Sequence, residues 1–359
     1  MGSLLLHEFH QAMGAQFTEV NGQEAVADYG DLPGEHAALD ESAGICDLSF
    51  RGRLCVLGAD RVKFLNGQVT NNVKDLRTGE GCYAALVSAK GKIQSDLHIY
   101  ILENEILLEF EPGLNEAVQQ RLEKYIIAED AQVADVSAHY GLWSVQGPKA
   151  AAVIKPWNFA ISEKPNALAK IDDPALGEIY VMNRVRTRSA GYDMFVPSAA
   201  MPAVASQLVT AATETGGRFC GWRALETARL EAGLPRFGAD MDETNLASEA
   251  LDTGAISYSK GCYIGQEVIA RIRTYGQVAK ALHGLRLPDN LPALPVKGDK
   301  LYLGDKEAGY ITSATASPRL KANIALGYVR REANQTGTEL LLQTPSAKVP
   351  VKIVELPFV

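Results

Sequence analysis

Lys260-Gly261-Cys262-Tyr263-Ile264-Gly265-Gln266-Glu267 is the stretch around which the chain is read. Its two glycines permit a tight turn and close backbone approach, and Gln266-Glu267 lead into Val268-Ile269-Ala270-Arg271, which reads as a helix. Cys262 is thereby offered on a loop ahead of a helix N-terminus. The helix dipole and Lys260 both favour a thiolate there, while Glu267 opposes it, so a modest lowering of the thiol pKa is expected. The competing reading is a buried structural cysteine in a Gly-rich turn, since free cysteine is commonly buried.

The composition around this stretch is that of a folded chain with more than one domain. At 359 residues it is too long for one ordinary core, and 47% hydrophobic with 22% charged residues is a globular balance. A net charge of −8 and a pI of about 5.4 exclude a global positive field, so direct nucleic-acid binding is not expected beyond a local contact. Leu4-Leu5-Leu6 is too short an apolar run for a signal-peptide core, Leu6 stands where the myristoylation pattern wants Ser or Thr, and no run approaches a membrane span. A cytoplasmic chain with no membrane partner is expected. Cys46, Cys55, Cys82, Cys220 and Cys262 form an odd set without a CxxC pair or a histidine at ligand spacing, which reads as reduced thiols and no metal site.

In chain order, residues 37–46 read as a short helix closing at Gly44. Leu54-Cys55-Val56-Leu57 reads as a strand, followed by Gly58 and a helix capped by Asp60, in which Val62, Leu65 and Val69 recur at helical spacing. Leu142 to Gly147, then Pro148 opening a helix through Ile154, repeat that strand-Gly-helix pattern and suggest two similar α+β modules. Residues 82–87 and 93–102 form a hairpin, 106–110 a further strand, and 114–125 a helix. Strands recur within 179–196, and 222–231 is a helix with Gly233 as its C-cap and Pro235 as its stop. Beyond Gly276, short strands punctuated by Pro288, Gly298, Gly309, Gly327 and Pro345 argue for a small all-β barrel or sandwich over 278–359. The α+β portion divides into 1–46 with 140–245 as one module and 47–139 as another, with 246–277 as a motif-bearing connector.

Ala43-Gly44-Ile45-Cys46-Asp47-Leu48-Ser49, Gly58-Ala59-Asp60, Arg229-Leu230-Glu231-Ala232-Gly233-Leu234-Pro235, Asp240-Met241-Asp242-Glu243, and Ile311-Thr312-Ser313 through Leu326-Gly327-Tyr328-Val329 resemble the T-protein of the glycine cleavage system. The octapeptide at 260–267 looks instead like the signature of the YgfZ-type folate-binding proteins, a branch of that superfamily associated with iron–sulfur cluster maintenance and tRNA modification. The resemblance implies a three-domain, ring-like α+β architecture of two ferredoxin-like modules and a C-terminal β-barrel, with tetrahydrofolate or a one-carbon derivative in a central channel.

It also implies site residues. Gly91-Lys92-Ile93-Gln94-Ser95-Asp96 matches a T-protein Gly-Gly-x-x-Asp-Asp stretch whose second aspartate lies against the reacting end of the folate, with Asp96 on that position and Ser95 replacing the first aspartate. A carboxylate suits the N–H and amino donors of a pterin and can serve as a base toward a folate nitrogen. Gly191-Tyr192-Asp193-Met194 matches the family's second pterin-holding acid, with aspartate for glutamate. Without the resemblance, Asp96 reads as a solvent-facing hairpin residue and Asp193 as a strand end. Tyr83, Tyr192 and Tyr263 are candidate stacking surfaces, with core tyrosines as the alternative. Lys260, Arg271, Arg273 and Lys280 form a local basic run that meets a folate polyglutamate tail, an acidic partner, RNA phosphate, or only solvent. T-protein carries a substrate-recognising arginine where this chain has Leu225; Arg223 lies on a different helix face.

The functional expectation is a tetrahydrofolate-binding protein, with Asp96 and Cys262 as reactive groups in one shared pocket with Asp193, supporting iron–sulfur client or assembly proteins. The alternative is an aminomethyltransferase producing methylenetetrahydrofolate and ammonia from an aminomethyl-lipoyl protein. A scaffold with a vestigial channel is the non-folate reading.

Overall fold

Strict alternation along the strands separates a helix-covered face from a shared interior. In the strand Ile93–Ile101, Leu97, Ile99 and Ile101 pack beneath the helices Arg61–Gln68 and Asn115–Glu123, leaving Asp96, His98 and Tyr100 on the opposite face. Ile106–Phe110 repeats the pattern, with Ile106, Leu108 and Phe110 toward the helices and Leu107 and Glu109 inward. Burying each such aliphatic side chain contributes about 2 kcal/mol. A one-residue slip would put Asp96, His98 and Glu109 under the helices, so the register is strongly specified.

The computed structural model describes residues 2–251, 254–276, 278–345 and 347–358. A five-stranded antiparallel sheet runs in the order Gly81–Val87, Ile93–Ile101, Ile106–Phe110, Gly52–Leu57, Gln132–Asp135. A six-stranded sheet runs Leu168–Asp173, Gly177–Asn183, Gly191–Pro197, Tyr140–Gln146, Gly44–Asp47, Arg218–Phe219, with only its last pair parallel. Helices Ala150–Ile154 and Met201–Thr215 cover its outer face. Leu142 and Phe195 of this sheet share one core with Cys55, Tyr100 and Leu107 of the other. Strands Lys280–Arg286, Ala322–Arg330, Lys306–Ser317, Lys300–Leu303, Glu339–Gln343 and Lys348–Val354 close a six-stranded barrel. The α+β architecture with a C-terminal barrel is the one expected.

Helix Trp222–Glu231 joins barrel to sheets. Arg229 binds Asp240, whose other oxygen accepts from Thr312 Oγ1 at 2.7 Å; Glu231 accepts from Ser317 and contacts His36 at 2.9 Å. Two local expectations differ. The helix placed over 37–46 is Leu32–Glu41, set by Asp31 accepting from the Gly34 N–H and by Pro33 in its first turn, and Gly44–Asp47 is a strand. Asp60 precedes its helix without a side-chain cap, because its carboxylate accepts from the Asp130 N–H at 3.0 Å. No helix among the described residues is long and apolar enough to cross a membrane.

Candidate functional site

The inner face of the five-stranded sheet carries polar groups where a sheet buried on both sides would carry aliphatics. Together with helix Trp222–Glu231, the short helix Ala247–Ala250 and the first barrel strand, it lines a cavity of about 800 Å³. Tyr83 stands opposite His98, and His98 opposite Glu109, across adjacent strands. Tyr83 and His98 stack with centroids 4.6 Å apart and planes 19° from parallel. The Tyr83 hydroxyl donates to Asp96 Oδ2 at 2.9 Å, and Asp96 Oδ1 is buried without a partner among the described residues. Burial, reinforced by the Glu111 charge, pushes the Asp96 carboxyl up to about 6 against the opposing pull of Arg51 and the Tyr83 bond.

Around Asp96 the charges are mostly matched. Arg51 holds Glu109 and Glu111. Arg186 grips Asp193 through Nη2 at 2.6 Å and Nε at 3.0 and 3.2 Å, and reaches Glu109 at 3.1 Å. Burial alone would raise Glu109, yet Arg186 and Arg51 hold it well below the ordinary range; Arg51 and Arg236 lower Glu111 against the same burial. His98 has a defined tautomer. Arg184 donates to Nε2 at 2.5 Å, so Nε2 is the bare nitrogen and Nδ1–H donates to Asn166 Oδ1 at 3.2 Å. Burial and the neighbouring guanidinium push its pKa well below the usual value, so His98 is a neutral spacer.

The residues expected to meet in one pocket are only partly brought together. Tyr83 and Asp96 line the cavity; Asp193 is buried behind Arg186, its carboxylate engaged by that guanidinium. Tyr192, one residue along the strand, packs with the helix-side core instead, because neighbouring strand residues point to opposite faces. Cys262 is exposed and is not on the cavity wall. Lys260 is buried. Its ammonium is turned under the loop and donates to the carbonyls of Asn66, Val69 and Asn71 at 2.6, 2.8 and 2.6 Å. Tyr263 is a core residue packed with Val87, Ile93 and Ile269, and Lys260 lies 5.0 Å from its ring centre. Arg223 binds Asp28 at 2.8 Å and is largely exposed, so it does not replace the arginine absent at Leu225, which lies on the cavity wall.

Arg51, His98, Glu109, Glu111, Arg184 and Arg186 were not singled out in the sequence. One signal was available: a charged or imidazole residue at alternate positions of an otherwise apolar strand, as in Leu97-His98-Ile99 and Leu108-Glu109-Phe110, marks a polar inner face.

Residues 6–260 match the model of the GCVT N-terminal domain, and residues 280–359 that of the glycine cleavage T-protein C-terminal barrel domain. Similar proteins include an aminomethyltransferase of Saccharopolyspora erythraea, 30% identical with 98% of this chain and 96% of that one covered. Another, from Symbiobacterium thermophilum, is 29% identical over the same shares. In fold the chain is similar to the crystal structure of glycine cleavage system aminomethyltransferase T from Bartonella henselae. The TM-score is 0.90 at 24% identity, over 99% of this chain and 98% of that one. With two successive domain models matched in order and a relative 30% identical along nearly its whole length, the chain belongs to the glycine cleavage T-protein family.

Proposed function

We propose that the cavity takes tetrahydrofolate, or a one-carbon derivative of it, as substrate and that the chain transfers an aminomethyl-level one-carbon unit to it. The observation that carries this reading is Asp96, a buried acid with one oxygen fixed by Tyr83 and the other unpartnered, on a cavity of ligand-binding size. A reduced pterin presents ring N–H and amino donors that suit such an oxygen, and the fit needs no rearranged charge pair. As a carboxylate, Asp96 accepts the N–H of a folate nitrogen and takes up that proton at Oδ1 as the nitrogen attacks the aminomethyl carbon, the lipoyl thiol and ammonia leaving as that carbon's bonds to sulfur and nitrogen break. Its pKa near 6 leaves it mostly ionised at neutral pH and close enough to neutrality for the proton to be returned. The names of the relatives support the same chemistry.

The test is ammonia release from an aminomethyl-lipoyl protein in the presence of tetrahydrofolate. Asp96→Asn is expected to lower turnover at least about a hundredfold while the variant stays folded. Wild-type turnover by that variant, or no tetrahydrofolate binding by the native chain in isothermal titration, refutes the proposal; the latter outcome favours a scaffold.

A second reading is favoured by two features, the exposed Cys262 in its octapeptide and the apolar Leu225 on the cavity wall. In it the folate-bearing chain supports iron–sulfur proteins, tRNA-modifying ones included, and Cys262 is the reactive group presented to the client. Leucine cannot pair with a substrate carboxylate, which removes one contact expected of an aminomethyltransferase. This reading predicts negligible ammonia release together with loss of cluster-enzyme activity in cells carrying Cys262→Ala. Full activity with that variant eliminates the role of the thiol.

A further inference from the structure

One cation on the cavity wall stands apart from the matched pairs. Arg51, Arg186, Arg229 and Arg236 each contact a carboxylate, whereas Arg184 makes no ion pair with any described residue. Its Nη1 donates to the Val185 carbonyl at 2.9 Å and its Nη2 to His98 Nε2 at 2.5 Å. Its Nε is buried and has no partner among the described residues. The nearest acids are already occupied. Glu109 is held by Arg51 and Arg186, and Asp193 by Arg186. On the same wall Asp96 is the reverse case, an acid whose Oδ1 has no donor among the described residues. The stacked Tyr83 and His98 rings separate the two, Tyr83 bonded to Asp96 and His98 to Arg184.

A half-buried guanidinium with its Nε shielded and no counter-ion is costly, and a ligand that supplies one recovers that cost as binding energy. We propose that Arg184 is the anion-binding residue of this cavity, taking a carboxylate carried by the ligand while Asp96 takes the ligand's N–H edge. A planar guanidinium with N–H groups to spare matches a carboxylate's two oxygens, and His98 and the Val185 carbonyl hold it in one orientation. The carboxylate comes either from the glutamyl end of a folate or from a separate small acid bound beside it. Only that choice of source rests on the folate reading.

Two measurements on the full chain decide the matter. In the first, the arginine Nε–Hε resonances are followed by NMR during an acetate titration, the Arg184 signal being assigned by its loss in Arg184→Lys. A saturable shift of that signal is expected, with or without folate. In the second, binding of tetrahydrofolate and of tetrahydropteroate, which lacks the glutamate, is compared between wild type and Arg184→Gln. A loss of about tenfold to a hundredfold confined to tetrahydrofolate assigns the carboxylate to the folate tail. Equal affinities for both folates, with acetate binding to the folate-loaded protein abolished in Arg184→Gln, assign it to a second substrate. Arg184→Lys, which keeps the charge, is expected to recover part of the loss. An Arg184 signal indifferent to acetate together with unchanged affinities in Arg184→Gln overturns the proposal. Failure of wild type to bind tetrahydrofolate while acetate still moves Arg184 refutes the folate reading alone.

Discussion

Asp96 shows how an acid is tuned by what it lacks. Among the described residues it has one hydrogen-bond donor, no cation in contact, and a charged Glu111 nearby. Its folded pKa of about 6 lies above the usual value near 4, so the folded state holds a proton that the unfolded chain releases in between. Stability is therefore expected to fall as pH rises from about 4 to about 6 and to level off above. Glu109 and Glu111, held down by arginines, act with the opposite sign at lower pH. Urea midpoints at pH 4.5 and 6.5 should differ less in Asp96→Asn than in wild type. Tyr83→Phe removes the bond that favours the carboxylate, so the pH midpoint of kcat/KM is expected to move above 6; an unmoved midpoint shows that the bond does not tune the acid. At Cys262 exposure governs. Cys46, Cys55 and Cys220 are buried, and burial pushes the half-buried Cys82 thiol up to about 12. A thiol reagent on the native chain is expected to modify Cys262 quickly and the others slowly, with the fast phase absent in Cys262→Ser and the stability of that variant within about 0.5 kcal/mol of wild type. A surviving fast phase contradicts the placement of this thiol.

At the scale of elements, the turn before helix Gln266–Tyr275 gives its two glycines different tasks. Gly265 sits at φ +83°, and a Cβ there would lie 2.5 Å from the Ser88 carbonyl oxygen and 2.9 Å from Val87 Cγ2. Gly261 has open space around it. Gly265→Ala is expected to cost about 2 kcal/mol or more, and Gly261→Ala well under 1. Chemical denaturation of the two variants checks this, and equal losses refute the distinction. From the sequence the two positions looked alike, because the clash partner comes from a hairpin more than a hundred residues away in the chain. The hairpin itself was legible from its alternating side chains and its Gly91 turn. So was the helix Trp222–Glu231, bounded by Gly233 and Pro235, since these signals act between near neighbours. The separation of Tyr192 from Asp193 was legible in principle too, because the two-residue period of a strand sends them to opposite faces.

For the molecule as a whole, Asp240 is the fastening between barrel and sheets. It is 1% exposed and accepts from Arg229, from the Arg236 backbone N–H at 3.1 Å, and from Thr312 of the barrel. Asp240→Ala takes from Arg229 the more deeply buried of its two carboxylates, Glu226 remaining, and leaves the Thr312 hydroxyl only the Leu326 carbonyl, at an expected cost of about 2–3 kcal/mol. Because the cavity is walled by sheets and barrel together, ligand affinity is expected to fall with it. Calorimetry with and without tetrahydrofolate checks both effects; an unchanged melting curve would show that the joint is held elsewhere.

The sequence by itself determined most of the strands, the stop of helix Trp222–Glu231 and the small C-terminal barrel, because alternation and turn chemistry are carried by residues close together in the chain, whereas the candidacy of Asp96 came from the resemblance of its stretch to that of T-protein. Only the tertiary structure decided that Asp96 keeps a free oxygen, that Asp193 is engaged by Arg186, that Lys260 holds a loop, and that Cys262 faces outward. The hold on Asp193 comes from Arg186, which also reaches Glu109 of the other sheet once the two sheets pack. A charged residue's partner is set by that packing, and no local pattern in the chain encodes it.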